Sequence, residues 1–457
     1  MQRKTIGFYI AITIVRMATK LLKMLGRNAS HFPGWLALRI YPKFLKYIGK
    51  PEKVVFITGT NGKTTVSNLV ASVLKEHGYV FLNNAEGSNI AEGITTSLLS
   101  KSSFFGNTLV PMAVLEVDER CAPLVYPYLQ PDYLVCTNLF RDSYRRNAHV
   151  QFIWNILNQQ IPQKTKLILN GEDLISSQLA IQNDRVHFGL SIPESNKVSK
   201  NIINDIATCP ECGSMLSYDY IRYNHIGKSY CAKCGFKSPE LDYTIKTIDK
   251  EKHVCVVKTP KEECEMRLIG DNITDAYNTI AAVAILSELG LSLDQIKTSF
   301  ENLKVVATRF DKVEVNGKEL VINLAKGQNP IACSRVCDFI AQQKGDKSVI
   351  LILDDIYDKK DSSENTAWIY DADFEFLNQP EVRQIIIGGV RHRDYRLRML
   401  MAGIDPNKII CCQEELDVAK HVDVKNVDKI FIMQDITTYV NAHKVFDALK
   451  VRMKEEG

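Results

Sequence analysis

The chain has 457 residues, more than one compact core usually holds, so two or three domains are expected. Its 45% apolar and 24% charged residues are ordinary for globular proteins and exclude a disordered chain. The net charge of +4 is small and gives no reason to expect nucleic acid as a main partner.

The first 50 residues form a basic segment, with ten Lys or Arg and no Asp or Glu. Helices broken at Pro33 and Gly34 are predicted here, and Ile6–Val15 is an apolar run. A membrane-spanning helix needs about 20 apolar residues, so this run is too short to cross a bilayer. Two interpretations stay open: a peripheral helix whose apolar run dips into an anionic membrane surface, or a solvated helical face packed on the next domain.

Residues 51–303 are predicted to form a central domain in which short apolar strands alternate with helices. Strands are expected at 54–58, 113–117, 133–136 and 166–169, and helices at about 64–77 and 275–289. This alternation predicts a doubly wound parallel sheet. It stops near residue 205, so a small module at 205–240 is expected as an insertion.

A glycine-rich turn follows the first predicted strand and opens the first helix. It reads Gly59, Thr60, Asn61, Gly62, Lys63, Thr64, Thr65. The glycines let backbone N–H groups point inward, and the helix N-terminus adds positive potential for phosphates. Lys63 can reach the β- and γ-phosphates of ATP, and the Thr64 hydroxyl can bind Mg²⁺. The loop has two residues between its glycines instead of the usual four, and a turn that binds no nucleotide is the alternative.

Four of the twelve cysteines form two Cys-x-x-Cys pairs, Cys209 with Cys212 and Cys231 with Cys234, and eighteen residues separate the inner two. Four thiolates at this spacing bind Zn²⁺ tetrahedrally and leave no open position for chemistry, so a structural zinc ribbon is predicted. Two unrelated redox pairs are the alternative. The scattered cysteines that remain indicate a reduced, cytoplasmic chain.

Residues 304–457 are predicted to form a second, Rossmann-like α/β domain, with its boundary near 303–312. Its strands are expected at 320–324, 349–353, 384–387, 408–411 and 429–433. Helical segments separate these strands, as in other α/β domains.

The short loop resembles that of Mur ligases and folylpolyglutamate synthases, which activate a carboxylate as an acyl phosphate that an amine then attacks. The resemblance implies that Glu116 holds Mg²⁺ together with Thr64, that Asn278 contacts the nucleotide, and that Arg309 reaches its phosphates. A solvated strand end, a buried Asn and a surface Arg are the respective alternatives. The implied fold is a Mur-ligase central parallel-sheet domain with an inserted four-cysteine zinc ribbon and a C-terminal Rossmann-like α/β domain.

Over nearly its whole length the chain resembles the MurT-type subunits of lipid II isoglutaminyl synthase. Beyond the loop and the cysteines, the segments that carry this resemblance are 83–84, 87–89, 116–119, 137–142, 218–221 with His225, 322–326 and 368–375. The resemblance implies ATP-dependent amidation of the D-glutamate α-carboxylate in the lipid II stem peptide. It also implies a heterodimer with a glutaminase subunit that supplies ammonia, and a lipid-linked substrate at the membrane surface.

The chain departs from this pattern at three places. Where the family has an Asp that completes the partner's catalytic triad, this chain has Asn365, and Asp361 or Glu364 could substitute if the loop is shifted. Basic residues (Arg145, Arg146 and His149) follow segment 137–142, and two extra residues precede Asn329. Two other functions therefore stay open: a Mur-type ligase that joins an amino acid to a carboxylate, and a degenerate nucleotide-binding scaffold.

Overall fold

The computed structural model describes residues 3–26, 31–85, 88–142, 149–270, 272–303, 310–325, 328–353 and 366–456. The chain divides into two compact units. The first unit comprises residues 1–140, 149–198 and 206–304, and the second comprises 141–148, 199–205 and 305–457. Two short stretches of the central region therefore belong to the same unit as the C-terminal residues, which the sequence did not predict.

The first unit begins with three helices and continues as alternating strands and helices. The helices are α1 Ile6–Met24, α2 Phe32–Ile40, α3 Phe44–Tyr47, α4 Lys63–Glu76, α5 Ala91–Ser100, α6 Ala122–Val125, α7 Val150–Gln160, α8 Ile273–Glu288 and α9 Leu293–Asn302. The strands are β1 Lys53–Thr58, β2 Phe81–Asn83, β3 Met112–Glu116, β4 Tyr133–Cys136, β5 Lys166–Asn170, β6 Arg185–Leu190, β7 Ser217–Tyr223, β8 Ile226–Tyr230, β9 Tyr243–Asp249, β10 Val254–Lys258 and β11 Glu263–Arg267.

Nine of the described strands form one sheet in the order β11-β10-β9-β6-β5-β4-β1-β3-β2. The pairs from β2 to β9 are parallel, and β10 and β11 extend the sheet as antiparallel strands. The hairpin β7–β8 stands outside this sheet and lies in the chain between β6 and β9. The strands predicted at 54–58, 113–117, 133–136 and 166–169 all lie here. The other strands of this sheet were not predicted: β2, β6, β9, β10 and β11.

The N-terminal helices pack on the same core as the sheet, through Phe8, Ile12 and Val15 of α1 and Phe44 of α3. The helix break predicted at Pro33 and Gly34 is wrong, because both residues lie inside α2. Proline is tolerated in a first turn, where its missing N–H needs no partner. Gly34 lets α2 touch the backbone of α5, since a Cβ there would lie 1.8 Å from the carbonyl oxygen of Glu92.

The second unit is an α/β domain around a six-stranded sheet in the order β12-β13-β17-β14-β15-β16, counted over its described residues. Its strands are β12 Phe310–Val315, β13 Lys318–Leu324, β14 Lys347–Ile352, β15 Val382–Gly388, β16 Ile409–Cys412 and β17 Lys429–Gln434. Its helices are α10 Pro330–Gln342, α11 Ala367–Asp371, α12 His392–Met401, α13 Val418–His421 and α14 Tyr439–Glu456. Apart from β12, which pairs antiparallel with β13, the strands are parallel, and the five predicted strands all lie here.

Candidate active site and metal centre

The sheet of the first unit brings three strand ends together. Strand β1 lies between β3 and β4, and all three run in the same direction, so their carboxyl ends meet at one edge. The glycine-rich loop follows β1, Glu116 ends β3, and Thr137 follows β4. Ligands of doubly wound sheets bind at such a point, where neighbouring connections leave in opposite directions.

The loop has the backbone that a phosphate cradle needs. Gly59 and Gly62 have φ of +120° and +90°, the left-handed region that favours glycine. A Cβ on Gly62 would lie 2.2 Å from Oδ1 of Asn278, and a Cβ on Gly59 would lie 2.2 Å from Oγ1 of Thr137. Both glycines are therefore required by close neighbours as well as by conformation.

Lys63 opens helix α4 and is paired with Glu119. Its Nζ lies 3.0 Å from Oε1 of Glu119 and also donates to the carbonyl oxygen of Gly59. The same Glu119 oxygen accepts from the Gly59 N–H at 2.8 Å. Burial alone would lower the pKa of Lys63, but the Glu119 carboxylate, together with those of Glu116 and Asp118, raises that pKa above its usual value, so the side chain stays an ammonium.

Two side chains donate hydrogen bonds to the carboxylate of Glu116. The Thr64 hydroxyl donates to its Oε2 at 2.8 Å, and the Asn89 amide donates to its Oε1 at 2.8 Å. The backbone of Glu116 is fixed by Asn84, which accepts from its N–H and donates to its carbonyl oxygen, both at 2.9 Å. A hydroxyl and a carboxylate oxygen in contact are the hard oxygen donors that Mg²⁺ prefers, so Thr64 and Glu116 fit that ion.

Two residues that follow β4 form hydrogen bonds to the glycine-rich loop. The Asn61 N–H donates to Oδ1 of Asn138 at 3.0 Å, and the Thr137 hydroxyl donates to the Asn61 carbonyl oxygen at 2.6 Å. The side-chain amide of Asn61 is buried and has no hydrogen-bond partner among the described residues. A buried donor without a partner costs free energy, so this amide fits a ligand with acceptor oxygens, such as a phosphate.

The four cysteines of the predicted ribbon lie together. The Sγ atoms of Cys209, Cys212, Cys231 and Cys234 are all within 4.8 Å of one another. Each pair sits in the same turn: the N–H groups of Gly213 and Gly235 donate to the carbonyl oxygens of Cys209 and Cys231, both at 3.0 Å. Four thiols at this separation form the donor set of a closed tetrahedral zinc site, so the residues fit the metal.

The ribbon hairpin is joined to the loop by a buried chain of hydrogen bonds. His225, at the hairpin turn, has Nε2 at 3.1 Å from Oδ1 of Asp173, and both side chains are fully buried. The second oxygen of Asp173 accepts from the N–H of Leu139 at 2.7 Å. The next residue, Phe140, donates its N–H to Oγ1 of Thr60 at 2.9 Å. The hairpin beside the four cysteines and the glycine-rich loop are therefore connected through Asp173 and the residues after β4.

In the second unit, two segments of the family resemblance meet. Arg141 lies 2.7 Å from Asp205 and 2.8 Å from Asp371. Asp373 is buried and accepts from the Asn201 side chain at 2.8 Å. Burial raises the pKa of Asp373. The buried Arg398, which the sequence did not single out, donates to the carbonyl oxygens of residues 369 and 372 and so clamps this segment.

The structure brings the predicted loop residues, Glu116 and Asn278 into one site, and the four cysteines into another. Thr65 lies in the first turn of α4, next to Thr64. The predicted phosphate contact Arg309 and the triad candidates Asp361 and Asn365 lie outside the described residues. Sequence reasoning missed Glu119, although it is part of the quoted segment 116–119, and it missed Asn138 and Asp173, which follow strand ends as functional residues of parallel sheets do.

Comparison with known proteins gives consistent matches. The Mur ligase middle domain model matches residues 57–286, and the MurT ligase C-terminal model matches residues 326–440. The chain is 33% identical to the lipid II isoglutaminyl synthase (glutamine-hydrolyzing) subunit MurT of Staphylococcus aureus strain COL, over 91% of this chain and 93% of that protein. It is 29% identical to the protein of the same name from Streptococcus pneumoniae strain ATCC BAA-255/R6, over 95% and 96%. The solved structure of a pseudomurein peptide ligase type C from Methanothermus fervidus matches with a TM-score of 0.67 at 21% identity, over 89% of this chain and 80% of that one, which is a likeness of fold.

Proposed function

This chain belongs to the MurT family of Mur ligases, and from that premise we propose that it is the synthetase subunit that amidates lipid II. The resemblance predicted from the sequence is thereby confirmed, and so is a Mur ligase fold with a C-terminal α/β domain. The proposed substrate is the D-glutamate α-carboxylate of the stem peptide, and the proposed product is D-isoglutamine. The relatives' name, a glutamine-hydrolysing synthase subunit, supports this choice.

The reaction has two steps. A carboxylate oxygen attacks the γ-phosphorus of ATP, the bond to the ADP oxygen breaks, and an acyl phosphate forms. Ammonia then attacks the acyl carbon, the bond to the phosphate oxygen breaks, and the nitrogen loses a proton to give the amide. Nothing is oxidised or reduced.

The residues of the loop have distinct parts in the first step. The inward N–H groups of the loop and the start of α4 would bind the phosphate oxygens. The Lys63 ammonium, which is paired with Glu119 in this structure, would bind the γ-phosphate instead. Asn278, in contact with Gly62, would hold the nucleotide. Thr64 and Glu116 would hold Mg²⁺, which when bound neutralises charge on the transferred phosphoryl group. Zn²⁺ at the four cysteines would have a structural role only.

We propose further that ammonia comes from a glutaminase partner subunit and that the reaction takes place on the cytoplasmic side of the membrane. Asn365 or Asp361 would complete the partner's triad, and Arg309 would reach the nucleotide phosphates. We propose a division of the sequence into a basic segment 1–50, a central ATP-binding domain 51–303 with the ribbon at 205–240, and a C-terminal domain 304–457. The short stretches 141–148 and 199–205 fold with the C-terminal unit. Among the described residues, no helix combines the length and apolar content of a membrane span.

One observation supports ATP-dependent activation of a carboxylate most strongly. The Thr64 hydroxyl contacts the Glu116 carboxylate beside the Lys63 ammonium. The test supplies lipid II, Mg-ATP and ammonium chloride to the purified chain and measures phosphate release and the mass of the muropeptide. We expect a product lighter by the difference between a hydroxyl and an amino group. Ammonium replaces the glutaminase, so the partner is not needed for this result.

A matched pair of variants controls the experiment. Lys63→Ala should abolish turnover, whereas Lys75→Ala, an exposed lysine near the other end of the same helix, should leave it unchanged. Turnover only with an added amino acid, and a correspondingly heavier product, would replace amidation by amino-acid ligation. If no amine supports ATP hydrolysis, the chain would be a nucleotide-binding scaffold without ligase activity.

A further inference from the structure

Helix α1 has two opposed apolar faces. Phe8, Ala11, Ile12 and Val15 are buried in the core of the first unit. The opposite face is also apolar and is between 43% and 80% exposed; we call it the α1 outer face, and it consists of Ile6, Ile10, Ile14, Met17, Leu21 and Met24. At about 100° per residue these six side chains fall within about 80° of the helix circumference. An apolar stripe this regular on the solvent side is unusual in a globular protein, which normally exposes apolar residues singly.

More exposed apolar side chains lie on the elements packed against α1. Phe104 and Phe105 are exposed on the loop that follows α5, with ring centroids 5.5 Å apart. Lys4 and Arg16 hold this loop against α1, since they donate to the carbonyl oxygens of Phe105 and Ser103 at 2.7 and 2.8 Å. On α2, which packs against α1, Phe32 and Trp35 are exposed as well.

The segments that form this surface carry charged side chains of one sign. Residues 1–50 carry ten Lys or Arg and no carboxylate, and the loop at 101–109 adds Lys101 and no carboxylate. Lys20 and Lys23 lie on α1 beside the outer face and are exposed. An apolar stripe with basic flanks and an exposed Trp is the pattern of a helix that lies in a bilayer interface, where the apolar face enters to about 5–10 Å and the basic groups meet anionic headgroups.

We propose that the α1 outer face docks this protein on an anionic lipid surface. The helix lies parallel to that surface, already anchored to the folded unit by its buried face. The apolar run predicted from the sequence, Ile6–Val15, does not enter as a whole, because part of it faces the core; the outer face enters instead and continues to Met24. A second copy of the chain is a poorer occupant, because pairing two α1 outer faces would bring like charges together without any acidic partner.

Docking at the α1 outer face does not depend on the proposed reaction, although a lipid-linked substrate would give it a purpose. Its test uses no turnover. Failure of docking would therefore leave the amidation proposal standing, and failure of amidation would leave docking standing.

The experiment is flotation of the full chain with vesicles of phosphatidylcholine alone and of phosphatidylcholine mixed with phosphatidylglycerol. We expect binding to the mixed vesicles that weakens with salt, because headgroup attraction is screened. The variant carries Ile10→Ser, Met17→Ser and Leu21→Ser, all exposed, so the core is unaffected. Its vesicle affinity should fall on the order of a hundredfold, since each lost apolar group removes part of the transfer free energy.

The matched control replaces three exposed apolar residues elsewhere in the unit, Val80→Ser, Leu124→Ser and Ile181→Ser, and should bind as the unchanged chain does. Light scattering on the same samples reports self-association. Equal loss in both triple variants, or binding to neither vesicle type by the unchanged chain, would overturn the proposal. So would a dimer of the unchanged chain that the α1 variant turns into a monomer, because the face would then be an interface between copies.

Discussion

The pair formed by Lys63 and Glu119 allows a quantitative test of the loop. Both side chains are nearly buried, and the Glu119 oxygen also receives the Gly59 N–H. Removing one partner of a buried ion pair leaves an uncompensated charge and typically costs about 3–5 kcal/mol. For a large domain about 2 °C of melting temperature corresponds to 1 kcal/mol, so Glu119→Gln should melt about 6–10 °C lower.

Lys63→Met should be less costly than Glu119→Gln. Burial raises the pKa of Glu119, so without the lysine this carboxyl can take up a proton and avoid a buried charge. The double variant should therefore melt at a higher temperature than the sum of the two single losses predicts. This difference corresponds to a coupling free energy of about 0.5–3 kcal/mol between the two side chains. The pair should also make stability depend on pH, because the pKa of Lys63 is raised in the folded state. The free energy of unfolding that Lys63 contributes is fully present below the ordinary lysine pKa and is lost as the pH rises through the raised value.

Scanning calorimetry with and without Mg-ATP measures both parts of this prediction. Nucleotide at a hundredfold excess over its Kd should stabilise the unchanged chain by about 2.7 kcal/mol, and Lys63→Met should lose this response. Lys75→Met, at the exposed end of the same helix, is the control and should respond as the unchanged chain does. Additive single effects, or a Lys63→Met variant that melts with the unchanged chain, would refute the buried pair.

Four further substitutions test the two sites. Gly62→Ala should abolish nucleotide binding in calorimetry, because a Cβ would meet Asn278 and the backbone is left-handed. Glu116→Gln should keep the fold by circular dichroism but reduce Mg²⁺-dependent ATP turnover by at least about a hundredfold, since it removes an ionised metal ligand. Metal analysis of the unchanged protein should find about one zinc per chain, and Cys209→Ser should lose it. His225→Leu should raise the KM for ATP more than it lowers kcat, because it frees the support of the loop rather than a reacting group.

The outcomes that would contradict these expectations are also distinct. Nucleotide heat retained in Gly62→Ala would show that the phosphates bind elsewhere. Full turnover in Glu116→Gln would remove it from the metal site, and metal analysis that finds no zinc would reject the ribbon. An unchanged KM for ATP in His225→Leu would show that the hairpin does not support the loop. His225→Gln, which can still form a hydrogen bond to Asp173, is the conservative variant for comparison.

The sequence predicted the parts of the fold whose signals are local. The apolar run at β1, the glycines after it and the helix that follows lie within about 25 residues, and a phosphate loop requires them in that order. The cysteine pairs are similarly self-contained. In the second unit the five parallel strands are largely apolar because both sheet faces are covered, which made them recognisable.

The missed features depend on contacts between distant residues. Strand β11 alternates charged and apolar residues at a sheet edge, so its apolar content is too low to stand out from a loop. Asp173 and His225 are 52 residues apart, and only the folded hairpin brings them together. The assignment of 141–148 and 199–205 to the second unit has no local signal either, because Arg141 reaches Asp371 across the sequence.

The hairpin β7–β8 lies within the connection between two parallel strands of the sheet. Strands β6 and β9 are parallel neighbours, and two such strands can be joined only by a crossover that carries the chain back along the sheet, commonly a helix. Here residues 191–242 make that crossover, and a metal held by the cysteine turns would fasten it. A newly made chain without metal would have to close the same connection as an unpinned loop before β9, β10, β11 and helix α8 could join the sheet. Asn278 arrives with that last helix, so metal bound at the cysteines would favour assembly of the nucleotide pocket as the polypeptide folds.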